Sequence, residues 1–193
     1  QLKNRIIPVA ILSLMAVILF FCVMFLSKTF IYEPSMARKY YKQGYTFIQE
    51  NQYPQSEDSF NHALHYKSVK AWFYRYAERY REHHQYERAR TMYSNILRRY
   101  NHEKAAGLAW AKMESDDLYN YEEAERILKR EVLDYHVNDA DGILQLGDLY
   151  LDWATDKDPA KFADAKEQYD LLVQLYGDKK EVKTYLARQM RYY

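Results

Sequence analysis

The sequence predicts an all-α protein, in which one N-terminal transmembrane helix precedes a solenoid of about four helical hairpins and the start of a fifth. Two observations indicate this fold. An uncharged apolar run extends from residue 6 to residue 26, and the rest of the chain contains four copies of one pattern of aromatic and small residues. The copies begin at Tyr53, Tyr86, Tyr121 and Phe162, so the period is 33, 35 and then 41 residues. A period of this length is typical of helical repeat proteins.

The composition restricts the classes of function. The charges nearly balance, with 28 Lys and Arg against 27 Asp and Glu, which argues against the strongly basic surface of a nucleic-acid-binding protein. The chain has 21 Tyr but only 5 Gly and 4 Pro, which fits helices that bury aromatic rings and keep hydroxyl groups near water or partners. The single cysteine, Cys22, lies in the apolar run, so the sequence predicts no intrachain disulfide and no thiolate metal cluster.

The apolar run from residue 6 to residue 26 is long enough to cross a membrane. At about 1.5 Å per residue, a helix of this length spans the ~30 Å hydrocarbon core. A cleaved signal peptide is the alternative interpretation, but the run is longer than a usual signal core and no small-x-small cleavage pattern follows Leu26. We therefore predict a membrane anchor over residues 1–28. Positive charges flank the run on both sides, so they leave its orientation open.

A short linker over residues 29–34 is predicted to separate the anchor from the first hairpin. Pro34 disfavours a helical conformation at Glu33, and the hydroxyl group of Ser35 can cap the helix that follows. The repeat domain, residues 35–193, then begins within a few residues of the membrane surface. Its predicted hairpins cover residues 37–69, 70–103, 104–138 and 139–178, and a partial fifth covers residues 180–193.

The recurring residues occupy the packing positions of the tetratricopeptide (TPR) repeat. The first helix of a TPR hairpin carries a small residue between larger ones, and Gly44, Ala77 and Gly147 stand at that place in the first, second and fourth copies. In the third copy Lys112 stands there instead. The chain from residue 35 to residue 193 therefore resembles the TPR family, and the resemblance implies a right-handed α-solenoid.

The first helices of TPR hairpins line a concave groove, and the resemblance assigns eight residues of this chain to it. They are Tyr41, Tyr45, Tyr74, Glu78, Trp110, Met113, Leu144 and Asp148. A groove rich in Tyr, Trp and Met suits a helix or an extended segment of a protein partner. The carboxylate clamp by which some TPR proteins hold chaperone tails is not matched, because Tyr41, Tyr45 and Trp110 replace its polar and cationic residues. In the alternative interpretation, about half of these aromatic residues fill the hairpin interiors.

The last segment of the sequence is apolar where a solenoid end is usually polar. Tyr185, Leu186 and Met190 stand where a fifth first helix would place its packing residues. We therefore expect these three residues to form an assembly edge that meets further repeats or another subunit.

The sequence contains none of the common catalytic signatures. It has no Gly-rich phosphate loop, no G-x-S-x-G, no H-E-x-x-H and no C-x-x-C motif. His62 and His65 share a helix face, but no third ligand is implied nearby, so we predict surface histidines rather than a metal site. Glu114, Asp116 and Asp117 are predicted to be solvated carboxylates at a helix end. No enzymatic activity, cofactor or metal is expected.

These features predict a membrane-anchored TPR scaffold that holds a protein complex at one side of a bilayer. A signal anchor followed directly by tyrosine-rich repeats also resembles the periplasmic collar proteins of spirochaetal flagellar motors. That resemblance implies a single-pass protein of the bacterial inner membrane, with periplasmic repeats that assemble with copies of themselves and other subunits. The alternative is an adaptor or receptor that presents client proteins to a membrane enzyme or translocase. Neither nucleic acid nor a small-molecule substrate is expected as a partner.

Overall fold

The computed structural model describes residues 3–178, with side chains from residue 12 onward. In this range the regular elements are all helices, and no β-strand is present. The first helix is long and apolar. The predictions of an all-α chain and of one long apolar N-terminal helix are therefore confirmed. The predicted assembly edge at Tyr185, Leu186 and Met190 lies outside the described residues.

The α-helices of the described residues are joined by short turns. Their bounds are α1 Lys3–Ser27, α2 Glu33–Gln49, α3 Tyr53–Tyr66, α4 Lys70–Glu82, α5 Tyr86–Arg99, α6 Lys104–Asp116, α7 Tyr121–Ile127, α8 Ala140–Asp156 and α9 Lys161–Tyr176. A π-helical turn joins α1 to α2 over Lys28–Tyr32, and a second one extends α7 over Leu128–Leu133. Left-handed residues lie in the turns after α2, α4 and α6, where Asn51, His84 and Tyr119 have φ angles of 59°, 56° and 51°. A left-handed residue after the last helical turn ends a helix in the usual way.

The helix that contains the apolar segment continues directly into α2. The interruption predicted at Glu33 is wrong, because the Glu33 N–H donates to the carbonyl of Lys28 and closes a π-helical turn. Pro34 follows in the first turn of α2, where a missing N–H is tolerated. The wider turn before it accommodates the proline ring that would otherwise crowd the preceding carbonyl. The predicted cap at Ser35 is therefore not needed, since Ser35 already lies within α2.

The apolar part of this helix is exposed along its described length. Between Leu12 and Gln49 the helix contains a stretch long and apolar enough to cross a membrane, and none of that stretch is buried. A signal sequence near an N-terminus has the same length and composition. The large side chains of Phe30, Ile31 and Tyr32 in the π-helical turn are also exposed.

The chain divides between Trp72 and Phe73 into two compact units. In the first unit, α2 packs against α3 through one face. Tyr41 of α2 is fully buried, its hydroxyl group donates to the carbonyl of Lys67 at 2.8 Å, and its ring stacks on Trp72 with 5.3 Å between centroids. Phe60 of α3 meets the same tyrosine edge-on. The aromatic core of this unit is thus centred on Tyr41.

The second unit contains contacts that recur at a nearly constant separation in sequence. Polar side chains join partners 34 to 38 residues apart. These contacts are Arg81 with Asp117, Lys104 with Asp139, His136 with the carbonyl of His102, Gln145 with the carbonyl of Leu108, Tyr121 with Asp156, and Lys157 with the carbonyl of Tyr119. Each helix pair of this unit is therefore bonded to the next pair along the chain.

Gly147 allows α8 and α9 to approach closely. A Cβ atom at this position would lie 2.7 Å from Cε1 of Tyr169, a distance that side chains do not tolerate without movement. The tyrosine ring has little freedom to move, because it is buried in the core and its hydroxyl group donates to Asp148 at 2.7 Å. The close approach therefore requires glycine.

Replacing Gly147 by valine is expected to lower the free energy of unfolding by about 2 kcal/mol, because the added methyl groups would overlap the Tyr169 ring. The control is Ala163→Val on the exposed surface of α9, which adds a β-branched residue to a helix and should cost about 0.5 kcal/mol. Denaturation of the full chain in detergent, followed by tryptophan fluorescence, measures both losses. Equal losses would contradict a close approach at Gly147.

Candidate protein-binding cleft

Two of the eight residues predicted to line a groove are buried inside helix pairs. Tyr41 and Met113 are both 0% exposed, so neither side chain is accessible to a partner. This corrects the groove prediction for these two residues. Of the four aromatic residues in the set, Tyr41 is fully buried and the other three are partly exposed, so fewer than the half expected in the alternative interpretation fill the hairpin interiors. Tyr41 is enclosed because Trp72 stacks over its ring.

Met113 is buried because the predicted register of the third copy is wrong by one residue. The sequence assigned the small position of α6 to Lys112, but Ala111 is the residue that is fully buried there, and Lys112 is exposed. One residue corresponds to a rotation of about 100° around a helix. With Ala111 as the small residue, Leu108 and Lys112 of α6 correspond to Leu144 and Asp148 of α8, which lie three residues before and one residue after Gly147.

The remaining predicted residues are at least partly accessible. Tyr45 lies edge-on to Trp72 in the first unit, with 6.3 Å between ring centroids. In the second unit, exposed Glu78 accepts a hydrogen bond of 2.6 Å from Tyr93. The hydroxyl group of half-buried Tyr74 has no hydrogen-bond partner, and its pKa is raised to about 12 by burial and by the negative charge of Glu103.

Leu144 and Asp148 line a cleft between α6 and α8 that encloses about 420 Å³. This α6–α8 cleft contains both residues that the corrected register assigns to α6. Its lining residues are Leu108, Ala111, Lys112, Ser115 and Asp116 from α6, Asp141, Leu144, Gln145, Asp148, Leu149 and Asp152 from α8, and Leu128. One wall of the cleft is thus formed by α8, which contains Leu144 and Asp148, and the other wall is formed by α6.

The base of the α6–α8 cleft is apolar. Ala111, Leu128 and Leu149 are buried in the core of the second unit. Leu108 and Leu144 pack against that core but remain partly exposed. A partner that covered these two leucines would remove apolar surface from water, which is the main favourable term in most protein association.

The walls of the cleft are predominantly acidic. Asp116 lies 3.9 Å from Lys112, and Asp148 accepts a hydrogen bond of 2.7 Å from Tyr169. Asp141 at the edge of the cleft is bound by Lys104 at 2.8 Å. The pKa of Asp152 is raised by partial burial and by the negative charges of Asp148, Asp116 and Asp156. The carboxylates of α8 and Asp116 therefore repel one another.

A buried ion pair fixes α6 on the side away from Leu108. The Glu114 carboxylate is 0% exposed and accepts hydrogen bonds from Nε and Nη2 of Arg90 at 2.6 and 2.7 Å, as well as from the Trp110 indole at 2.8 Å. The prediction of a solvated carboxylate is wrong for Glu114. It is also wrong for Asp117, which Arg81 binds through two nitrogen atoms at a partly buried position.

The histidines at the surface of α3 make aromatic contacts. His62 and His65 are exposed, as predicted. His62 stacks on Tyr40 with 5.5 Å between ring centroids, and His65 lies edge-on to Tyr66. Within the described residues, no group of three or more His, Cys, Asp or Glu side chains has a geometry that could hold a metal ion.

Replacing Glu114 by alanine is expected to lower the free energy of unfolding by about 2 kcal/mol, because partly buried Arg90 would lose two hydrogen bonds and retain exposed Glu87 as its carboxylate partner. The matched control is Asp116→Ala, two residues further along α6 and exposed, for which we expect a change within about 0.5 kcal/mol. Chemical denaturation of the full chain measures both variants. A loss for Glu114→Ala no larger than that of the control would contradict the buried ion pair.

Comparison with known proteins leaves the cleft without an assigned role. Neither protein-family models nor curated proteins match this chain. Its function therefore has to follow from the chemistry of the cleft and from the helix that precedes the first helix pair.

Proposed function

We propose that this chain is a membrane-anchored scaffold of the TPR type, which binds a segment of a protein partner in the α6–α8 cleft and confines the resulting complex to one side of a membrane. The observation that carries the proposal is the cleft itself, in which accessible leucines lie between charged walls. Its volume of about 420 Å³ lies in the range of ligand-binding clefts. Binding, rather than catalysis, is the role that such a surface supports.

The TPR part of the proposal is supported by the spacing of the helices. The helices that open the four pairs begin at Glu33, Lys70, Lys104 and Ala140, which are 34 to 37 residues apart. The small residues of these helices and of their partners are all buried: Gly44, Ala77, Ala111 and Gly147 in the opening helices, and Ser56, Ala89, Ala124 and Ala165 in the partners. Repeated burial of small residues at one period is what stacking of similar helix pairs requires.

The membrane part of the proposal is supported by the continuous helix from α1 to α2. An exposed apolar helix is unfavourable in water but stable in a bilayer, where its backbone groups are satisfied within the helix. Phe30, Ile31 and Tyr32 follow the apolar stretch and are exposed, as expected for residues at a membrane interface. The proposed topology is a single span of a bacterial inner membrane with the repeats in the periplasm, in a self-associating assembly such as the flagellar motor collar.

The binding role can be tested by photo-crosslinking in intact cells. A photoreactive amino acid at Leu144 inside the cleft is expected to capture one or two partner proteins in stoichiometric amounts. The same amino acid at Val137, an exposed aliphatic position outside the cleft, should capture far less. Equal capture at both positions would exclude a binding role for the cleft. A wide range of unrelated soluble proteins at Leu144 would favour an exchanging client adaptor over a scaffold.

The topology can be tested with a membrane-impermeant thiol reagent. The background is Cys22→Ser, which removes the cysteine of the apolar helix, and the probe position is Lys157→Cys in the exposed turn after α8. Labelling in intact spheroplasts is expected if the repeats face the periplasm. Labelling only after lysis would place them in the cytoplasm.

A further inference from the structure

We propose that the occupant of the α6–α8 cleft is a positively charged amphipathic segment of a protein partner, in which lysine or arginine residues alternate with apolar residues. This inference rests on the proposed binding function and specifies the chemistry of the partner.

The first argument is charge complementarity. Four carboxylates line the cleft, those of Asp116, Asp141, Asp148 and Asp152, whereas Lys112 is the one cation among the lining residues that the structure describes. Lys112 already lies beside Asp116 at 3.9 Å. Asp141 is likewise bound by Lys104 at 2.8 Å. A partner with positive charges would therefore meet opposite charges mainly on the α8 wall, at Asp148 and Asp152, and an acidic segment or a nucleic acid would be repelled there.

The second argument comes from the ends of the two helices. The C-terminus of a helix carries a partial negative charge and is stabilised by basic side chains in the last turn. Neither α6 nor α8 has a basic residue in its last turn. Asp116 ends α6, Asp156 ends α8, and Asp152 lies one turn earlier. Asp116, and to a smaller extent Asp152, thus lie where the helices themselves disfavour negative charge, and cations of a partner would offset this repulsion as well as that between the carboxylates.

The third argument distinguishes an amphipathic segment from a small cation. Leu108 and Leu144 remain partly exposed at the base of the cleft, and a metal ion or a polyamine would leave them in contact with water. An extended segment with alternating residues places its apolar side chains on one side and its charged side chains on the other. Such a segment can cover the leucines while its cations reach Asp148 and Asp152.

The test uses the full chain in nanodiscs of zwitterionic phosphatidylcholine and three short fluorescein-labelled peptides. One peptide alternates leucine with lysine, and its two matched counterparts carry glutamine or glutamate in place of lysine. Fluorescence anisotropy, corrected for binding to empty nanodiscs, gives the dissociation constants. We expect the lysine peptide to bind most tightly and to lose about tenfold in affinity when Asp148→Asn and Asp152→Asn are combined, since two charge pairs are removed.

The control variant combines Glu167→Gln with Asp170→Asn on the exposed surface of α9, which changes the net charge equally outside the cleft. It should bind the lysine peptide as the unaltered chain does, and thermal unfolding should show that both variants are folded. Equal affinities for the lysine and glutamine peptides, or an unchanged affinity in the Asp148 and Asp152 variant, would overturn the inference.

The photo-crosslinks at Leu144 separate this inference from the proposed function. Capture of a partner through a neutral or acidic segment would overturn the basic occupant but leave the binding role of the cleft intact. Capture of no partner at all would overturn both. Capture through a segment rich in lysine or arginine, together with the peptide affinities, supports both.

Discussion

Arg90 of α5 and Glu114 of α6 form a buried ion pair, and the geometry of the cleft depends on it. A carboxylate that is 0% exposed is stable only if its oxygen atoms are bonded, and here both accept hydrogen bonds from the guanidinium group. The indole N–H of Trp110, one turn earlier on α6, bonds to the same carboxylate. Because α6 is held on this side, its rotation about its own axis is fixed, and Leu108 lies in the cleft.

The second unit contains acidic residues in two different electrostatic settings. Glu114 and Asp117 each face an arginine at a distance and angle that allow two hydrogen bonds. The first pair links α5 to α6, and the second links α4 to the end of α6. Asp148 and Asp152 instead lie close to other carboxylates, and partial burial together with these negative charges raises the pKa of Asp152. Sequences usually avoid such local conflicts except where function requires them. The paired acids therefore hold the helices together, while the repelling acids create a surface with a preference for cations.

The sequence alone was sufficient to predict the helix pairs and to single out Leu144 and Asp148, which line the cleft. Small residues at a fixed spacing made this possible, because they determine which faces of the helices meet. It was not sufficient to predict the orientation of α6, where the small position was assigned to Lys112 instead of Ala111 and this error of one residue rotated the whole face. Burial of Glu114 was missed for another reason: its partner Arg90 is 24 residues away, and one sequence does not reveal which distant charges pair. Pro34 was expected to disfavour a helical conformation at Glu33, but a π-helical turn before it allows the helix to continue.

Because the π-helical turn over Lys28–Tyr32 joins α1 to α2 without a break, α1 determines the rotational orientation of the first helix pair about the helix axis. A helix that runs without interruption transmits rotation as well as position, since each residue advances the backbone by about 100° around the axis. The rotation of α1 about its own axis in a bilayer therefore determines on which side of α2 the helix α3 lies. Removing one residue from the α-helical part of α1 would reorient that helix pair by more than a quarter of a circle while the length of the chain hardly changed.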